Sequence, residues 1–335
     1  MKAHRILSPL FLTTLIAACG GGGGGGDSTP TTTPTNATPV TVTSGNYTTV
    51  GREAGAGSLA VTDSAINYNF LTGAAVSAEP AWAQFGLEQW RNLSAKFSGR
   101  AQTVVGVTTS QTDNCILGGS ITYLINDLNG NENPDAGDSV AATFNSCQTW
   151  AGTVTGNLSI QIAGAPTGDL SGYPFSVGLT MTFNNLRAVS TSASATATGD
   201  ISLQTSRTAA WIGTDVISVN SFSSSVTVGS TTRSRTISAY TATVNFYETY
   251  SLTRFNGTVS SSEFGNQTVA LASTTDFRRI FANNYPDQGA ATVTGANGGK
   301  IYVNVIDATQ LTLALDANGD GTAEQSTTAT WDSLR

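Results

Sequence analysis

Two short stretches of this chain place oxygen-bearing side chains at alternate positions, the spacing with which a backbone wraps a hard cation. The first is Asp127-Leu128-Asn129-Gly130-Asn131-Glu132-Asn133-Pro134-Asp135-Ala136-Gly137-Asp138. Asp127, Asn129, Asn131, Asp135 and Asp138 offer side-chain oxygens at positions one, three, five, nine and twelve, and Asn133 at position seven offers its carbonyl. The second runs from Asp316 to Glu324, with Asp316, Asn318, Asp320 and Glu324 offering side chains and Thr322 its carbonyl. Calcium takes about six to eight oxygens at once, and such a set suits it. Read without a metal, both stretches are hairpin turns, because Asx and Gly residues favour turns on their own account.

The first stretch resembles the calcium-binding loop of EF-hand type, with two departures. Its sixth position is Glu132 in place of glycine, so the sharp turn is expected to be made differently, and its twelfth is Asp138, shorter than the usual bidentate glutamate. The second has the expected Gly321 at position six and the non-acidic Thr327 at position twelve. It resembles the calcium loops that join two strands in extracellular β-propeller and related repeats. Asp127, Asn129 and Gly130 align with Asp316, Asn318 and Gly319, each set behind an alternating apolar strand, a weak internal duplication or one loop solution used twice.

The chain has three cysteines. Cys19 follows Lys2, Arg5, an apolar stretch from Ile6 to Ile16, and the small pair Ala17-Ala18. This resembles a bacterial lipoprotein signal peptide, which implies that residues 1–18 are removed and Cys19 is acylated as the mature N-terminus. Gly20 rather than aspartate after that cysteine implies the outer membrane, and the sequence leaves its inner or outer face open. Residues 19–45, a glycine run followed by a Thr/Pro-rich segment, are expected to be a lipidated tether with a reach of ~25–30 Å. Cys115 and Cys147 then form an even pair in an oxidising compartment and are expected to be disulfide-bonded. The order Cys, acidic loop, strand, Cys is similar to that of uncharacterised proteobacterial lipoproteins.

These residues need elements to hold them. Val154, Leu158, Ile160 and Ile162 alternate with polar residues, as do Phe175, Val177, Leu179, Met181 and Phe183. Tyr240 to Leu252 keeps one parity over a long run. Each reads as an antiparallel strand covering a core on one face. Asn297-Gly298 reads as a hairpin turn. One helix is expected near residues 80–97, where Trp82, Phe85, Trp90, Leu93 and Phe97 fall near helical spacing behind Pro80, packed as core rather than as an aromatic shelf. The fold expected for residues 46–335 is all-β, a large antiparallel sheet as a sandwich or a partly open soluble barrel, in one domain or two subdomains. A transmembrane barrel is disfavoured by the Thr, Ala and Gly that dilute its apolar faces and by the C-terminal Trp331-Asp332-Ser333-Leu334-Arg335.

Composition removes several functions. The formal charge is −7, and losing Lys2 and Arg5 with the signal peptide makes it −9, unsuited to a nucleic-acid binder. His4 is the only histidine and lies in the signal segment, which excludes imidazole-based triads and imidazole zinc sites from the mature chain. No Gly-rich phosphate loop stands between a strand and a helix. Carboxylate chemistry such as glycoside hydrolysis stays open, with Glu248 and Glu263 as the acids to place. Two functions are therefore carried forward. One is a lipid-anchored, non-catalytic envelope β domain, stabilised by calcium, that binds a glycan, a lipid or another envelope protein. The other is a secreted carboxylate hydrolase acting on polysaccharide.

Overall fold

The computed structural model describes residues 38–62, 81–94, 107–149, 152–168 and 172–334. Cys19, Pro80 and Phe97 lie outside these residues.

The fold is all-β, and among the described residues two helices precede fourteen strands. Helix α1 is Tyr47–Thr62 and helix α2 is Trp82–Ser94. The strands are β1 Val107–Asn114, β2 Gly118–Asp127, β3 Ser139–Thr149, β4 Gly152–Gly168, β5 Phe175–Val189, β6 Ala193–Ala209, β7 Ile212–Val228, β8 Thr231–Phe246, β9 Tyr250–Ser261, β10 Thr268–Ile280, β11 Gln288–Thr294, β12 Lys300–Val305, β13 Gln310–Asp316 and β14 Gln325–Thr330. They form one antiparallel meander in which every strand pairs with its neighbours in sequence. The sheet does not close, since β1 and β14 are not paired with each other. Both edge strands are polar, Val-Thr-Thr-Ser-Gln-Thr-Asp-Asn and Gln-Ser-Thr-Thr-Ala-Thr, which makes them poor templates for a foreign apolar strand.

Strict alternation produces a sheet with one apolar face. Leu158, Ile160, Ile162, Phe175, Val177, Leu179, Met181 and Phe183 are all buried. The opposite face is held by cross-strand hydroxyl contacts, such as Ser223 with Thr236 at 2.9 Å and Thr227 with Thr232 at 2.9 Å. The run from Tyr240 to Leu252 is not a single strand. It is broken after Phe246 by the β8–β9 hairpin, whose tip carries the exposed Glu248. The buried face changes parity across the turn, with Phe246 opposite the buried Ser251, so Tyr250 and Leu252 lie on the other face from Tyr240 to Phe246 and apolar spacing alone could not locate the break. The Asn297-Gly298 hairpin is present, with both residues in the left-handed region at φ 56° and 77°.

Both helices pack on the apolar face. Helix α2 buries Trp82, Phe85, Trp90 and Leu93 against β4, β5 and β6, with Trp82 edge-on to Phe183 at 5.8 Å between ring centres. Helix α1 was not expected from the sequence, because Gly51, Gly55 and Gly57 give it poor intrinsic helicity. Tertiary packing stabilises it instead. Its glycines let the backbone lie close to the sheet: a Cβ on Gly51 would sit 3.2 Å from Leu313 and one on Gly57 3.1 Å from Val259. Residues 38–45, assigned to the tether by composition, also belong to the fold. Val40 and Val42 are buried, and Pro39 bridges to Thr268.

A buried polar network pins each helix in register. From α1, Glu53 accepts hydrogen bonds from Arg235 Nε at 2.7 Å and Ser261 Oγ at 3.0 Å, and its side chain is fully buried. From α2, Gln84 reaches Asp215, which also pairs with Arg207 and accepts from Thr205 at 2.6 Å. Burial alone would raise the Glu53 carboxyl, but the hydrogen bond and charge of Arg235 outweigh it and hold the group below the ordinary glutamate value.

Candidate functional site

The two acidic loops join β2 to β3 and β13 to β14. In a meander successive hairpins alternate between the two ends of the sheet, so these loops stand at opposite ends and cannot share a ligand. Their internal bonding is nonetheless the same. Asp127 accepts from the N–H of Gly130 at 2.7 Å and of Glu132 at 2.9 Å; Asp316 accepts from Gly319 at 2.7 Å and Gly321 at 2.9 Å. In both, position three accepts from the N–H of position five, and position five from that of position seven. A later acid closes each loop onto the N–H of position two: Asp138 onto Leu128 at 2.9 Å, and Glu324 onto Ala317 at 2.8 Å.

One expectation is corrected here. Glu132 makes its turn in the same way as Gly321, with positive φ of 64° against 92°. A non-glycine residue in that conformation carries strain of about 1 kcal/mol or more, and here the bond to Asp127 holds it in place.

The donor set of each loop is all oxygen, which fits calcium by chemistry. The side-chain oxygens are already engaged within the loops. Asp135 Oδ2 accepts from the amides of Asn129 at 2.8 Å and Asn131 at 2.6 Å, and Asp138 uses both oxygens on backbone N–H groups, of Leu128 and Asp135. Among the described residues no three Asp, Glu, His or Cys side chains are gathered as a metal-holding group. In the second loop Tyr302 donates to Asp316 at 2.9 Å. Burial would raise the Asp316 carboxyl, but this hydroxyl and the N–H groups of Gly321, Gly319 and Asp320 outweigh it and hold it below the ordinary aspartate value.

Cys115 and Cys147 are disulfide-bonded, with Cα atoms 5.4 Å apart. Cys115 sits in the β1–β2 turn rather than on β2, so the bridge ties that turn to β3 at the end of the sheet away from the first acidic loop.

The carboxylates proposed for hydrolysis are not together. Glu248 lies in the β8–β9 turn, whereas Glu263 follows β9 and faces Arg52 and Arg233. The twelve residues of β9 separate them by about 40 Å, against the ~5–9.5 Å that glycoside hydrolysis needs.

A cavity lies where sequence reasoning placed no site. It is walled by α1 and by the apolar face of β9 to β12, and it holds about 790 Å³ of empty space, open solvent included. Gly51, Gly55, Ser58 and Thr62 recur on one face of α1, and their small size leaves the gap. Across from them stand Phe255 and Phe277, stacked at 5.3 Å between centres, with Leu271 and Trp331. Tyr285 stacks on Trp331 at 5.7 Å and donates to Asp332. No carboxylate lines the cavity among the described residues. The signal for this site was small residues at helical spacing between Tyr47 and Thr62, which their glycine content disguised. Exposed aromatics are present too, but Trp211 and Tyr247 stand on hairpin tips rather than on the helix-bearing face.

Compared with protein families, curated proteins and solved structures, this chain matches none. No helix among the described residues is long and apolar enough to cross a membrane.

Proposed function

We propose that this protein is a cell-envelope binding protein, held at the outer membrane by lipid on Cys19, whose β domain takes an apolar ligand in the cavity between α1 and the sheet. The observation that carries the reading is that cavity. Its walls are aromatic and aliphatic with few polar groups, the lining typical of small-molecule sites. Of the partners considered from sequence, a lipid suits such walls better than a glycan, which would call for many hydrogen-bonding side chains. The hydrolase reading loses support, because the two acids that carried it stand at opposite ends of β9. Calcium in the acidic loops would act on stability: each loop ties two strands already held by the sheet, whereas a calcium sensor's loop joins a pair of helices that open.

The test is titration of the purified protein with 1-N-phenylnaphthylamine, a neutral fluorophore that brightens in apolar surroundings. Saturable enhancement at one site, lost in Gly55→Leu, is the expected result. Fluorescence that does not saturate, or that survives the substitution, removes the reading. Mass spectrometry of membrane-extracted protein should show a diacylglyceryl group on Cys19, and an unacylated mature N-terminus elsewhere would remove the anchor.

A further inference from the structure

Three neighbouring turns, β6–β7, β8–β9 and β10–β11, stand at the same end of the sheet and carry large apolar side chains where small polar residues are usual. The register sets Gly213, Phe246, Ser251 and Arg279 in one cross-strand row. The next row toward the tips is Ile212, Tyr247, Tyr250 and Ile280, which point away from the helices, since Phe246 and Ser251 are buried on the helix-bearing face. Tyr247 and Tyr250 stack at 4.7 Å between ring centres, and Trp211 packs on Phe281 at 5.1 Å, linking the first turn to the third. Trp211, Ile212, Tyr247 and Ile280 are each 37–42% exposed. At the opposite end, the β5–β6 and β7–β8 turns are the ordinary Ser190-Thr191-Ser192 and Gly229-Ser230.

We infer that this patch docks the domain on a lipid bilayer with zwitterionic headgroups, its Trp, Tyr and Ile side chains entering the interface. The contact is separate from the cavity. Trp and Tyr suit the layer between headgroups and hydrocarbon, being apolar in body and able to hydrogen-bond at one end. A glycan would stack on open ring faces, whereas here the rings face one another. An anionic surface would call for an excess of basic side chains. The charges on these turns, Glu248, Arg279 and the Arg278–Asp287 ion pair, balance instead. The chain enters the fold at the other end of the sheet, where Pro39 bridges to Thr268. The 19 residues from Cys19 to Ala37 reach at most ~65 Å, against ~55 Å for the 17 residues of β7, so a lipid on Cys19 and the patch can hold one bilayer.

The experiment sediments the mature chain carrying Cys19→Ser, which has no lipid of its own, with sucrose-loaded phosphatidylcholine vesicles, with and without phosphatidylglycerol. Binding to phosphatidylcholine is expected, and phosphatidylglycerol should not strengthen it. Trp211→Ser with Tyr247→Ser should weaken partitioning about tenfold, since withdrawing about 55 Å² of apolar surface from water is worth that much. Ile212→Ser with Ile280→Ser should weaken it too, without touching either aromatic stack. Ile116→Ser with Leu117→Ser, at least as exposed but at the opposite end, should leave it unchanged; an unchanged Tm shows that each variant is folded. The inference is overturned if the protein stays in the supernatant, if the variants at the two ends lose binding alike, or if binding appears only with phosphatidylglycerol. If the protein ignores vesicles and the Trp211 and Tyr247 substitutions instead change its own sedimentation coefficient, the patch is an interface between copies and the lipid assignment falls.

Discussion

Replacing Gly55 with leucine should make this protein more stable while closing its cavity. The nearest atom to a Cβ at that position is Leu334 Cδ1 at 3.8 Å, an ordinary contact, and the helical backbone there suits an L-residue. Three effects set the size. Leucine is preferred over glycine inside a helix by about 0.8 kcal/mol. Burying its side chain in the empty space adds about 2 kcal/mol, and fixing its rotamer costs about 0.7 kcal/mol. The net gain is about 2 kcal/mol, which for a domain of this size raises Tm by roughly 3 °C. Gly86→Leu is the matched control, since a Cβ there would collide with Met181 Sδ inside the packed core. Overpacking of that kind costs about 1–3 kcal/mol, enough to exceed the helix-propensity gain. Differential scanning calorimetry of the two variants beside the parent should therefore give shifts of opposite sign. A fall in Tm for Gly55→Leu would mean that the space beside α1 is not available, and the argument for a ligand there would go with it.

Other consequences are open to direct measurement. Glu53→Ala leaves Arg235 buried without its carboxylate and should cost about 3–5 kcal/mol in urea unfolding, whereas Glu53→Leu with Arg235→Met should recover most of that loss. The folded Glu53 value lies below its unfolded one near 4.5, so its stabilisation is present above that pH and fades as pH falls below it; Glu53→Gln should flatten this part of the acid-stability profile, and an unchanged profile would refute the pairing. The Cys115–Cys147 bridge spans 32 positions, so its reduction should lower stability by about 3–4 kcal/mol on the chain-entropy account, read as a shift in urea midpoint with dithiothreitol. At free calcium ten times the dissociation constant one loop would add about 1.4 kcal/mol; melting should rise with calcium and fall with chelator, and Asp127→Ala with Asp316→Ala should abolish the difference.

The strands were legible because an antiparallel sheet with one wet face writes its own alternation, and the apolar residues from Phe175 to Phe183 are buried as that alternation requires. Helix α2 was legible for a similar reason, since its large residues repeat at helical spacing. Helix α1 was not, and the cause is physical. A helix that must lie close to a sheet uses glycine where bulk would hold it off, and glycine erases both propensity and periodicity. The acidic loops were legible as turns with a common bonding scheme, and Glu132 was misjudged because a composition rule stood in for a backbone conformation. The cavity escaped because its residues come from α1, four strands, the β10–β11 hairpin and the C-terminal turn, and no spacing along the chain brings Gly55, Phe277 and Trp331 together.

The strictly sequential meander also sets an order of burial during folding. Each strand completes its hydrogen bonds as soon as its immediate successor arrives, so the sheet can grow by addition from one edge, with mostly short loops to close. The helices run against that order. Both precede every strand, yet α2 needs β4 to β6 and α1 needs β8, β9, β12 and β13 before its apolar face is covered. On a chain emerging from its N-terminus, Trp82 and Trp90 stay wetted until β4 to β6 have been delivered, and the apolar face of α1 until nearly all of the sheet has. The region that waits longest for its cover is thus the short helical segment that comes first, and the strands that follow are its eventual shelter.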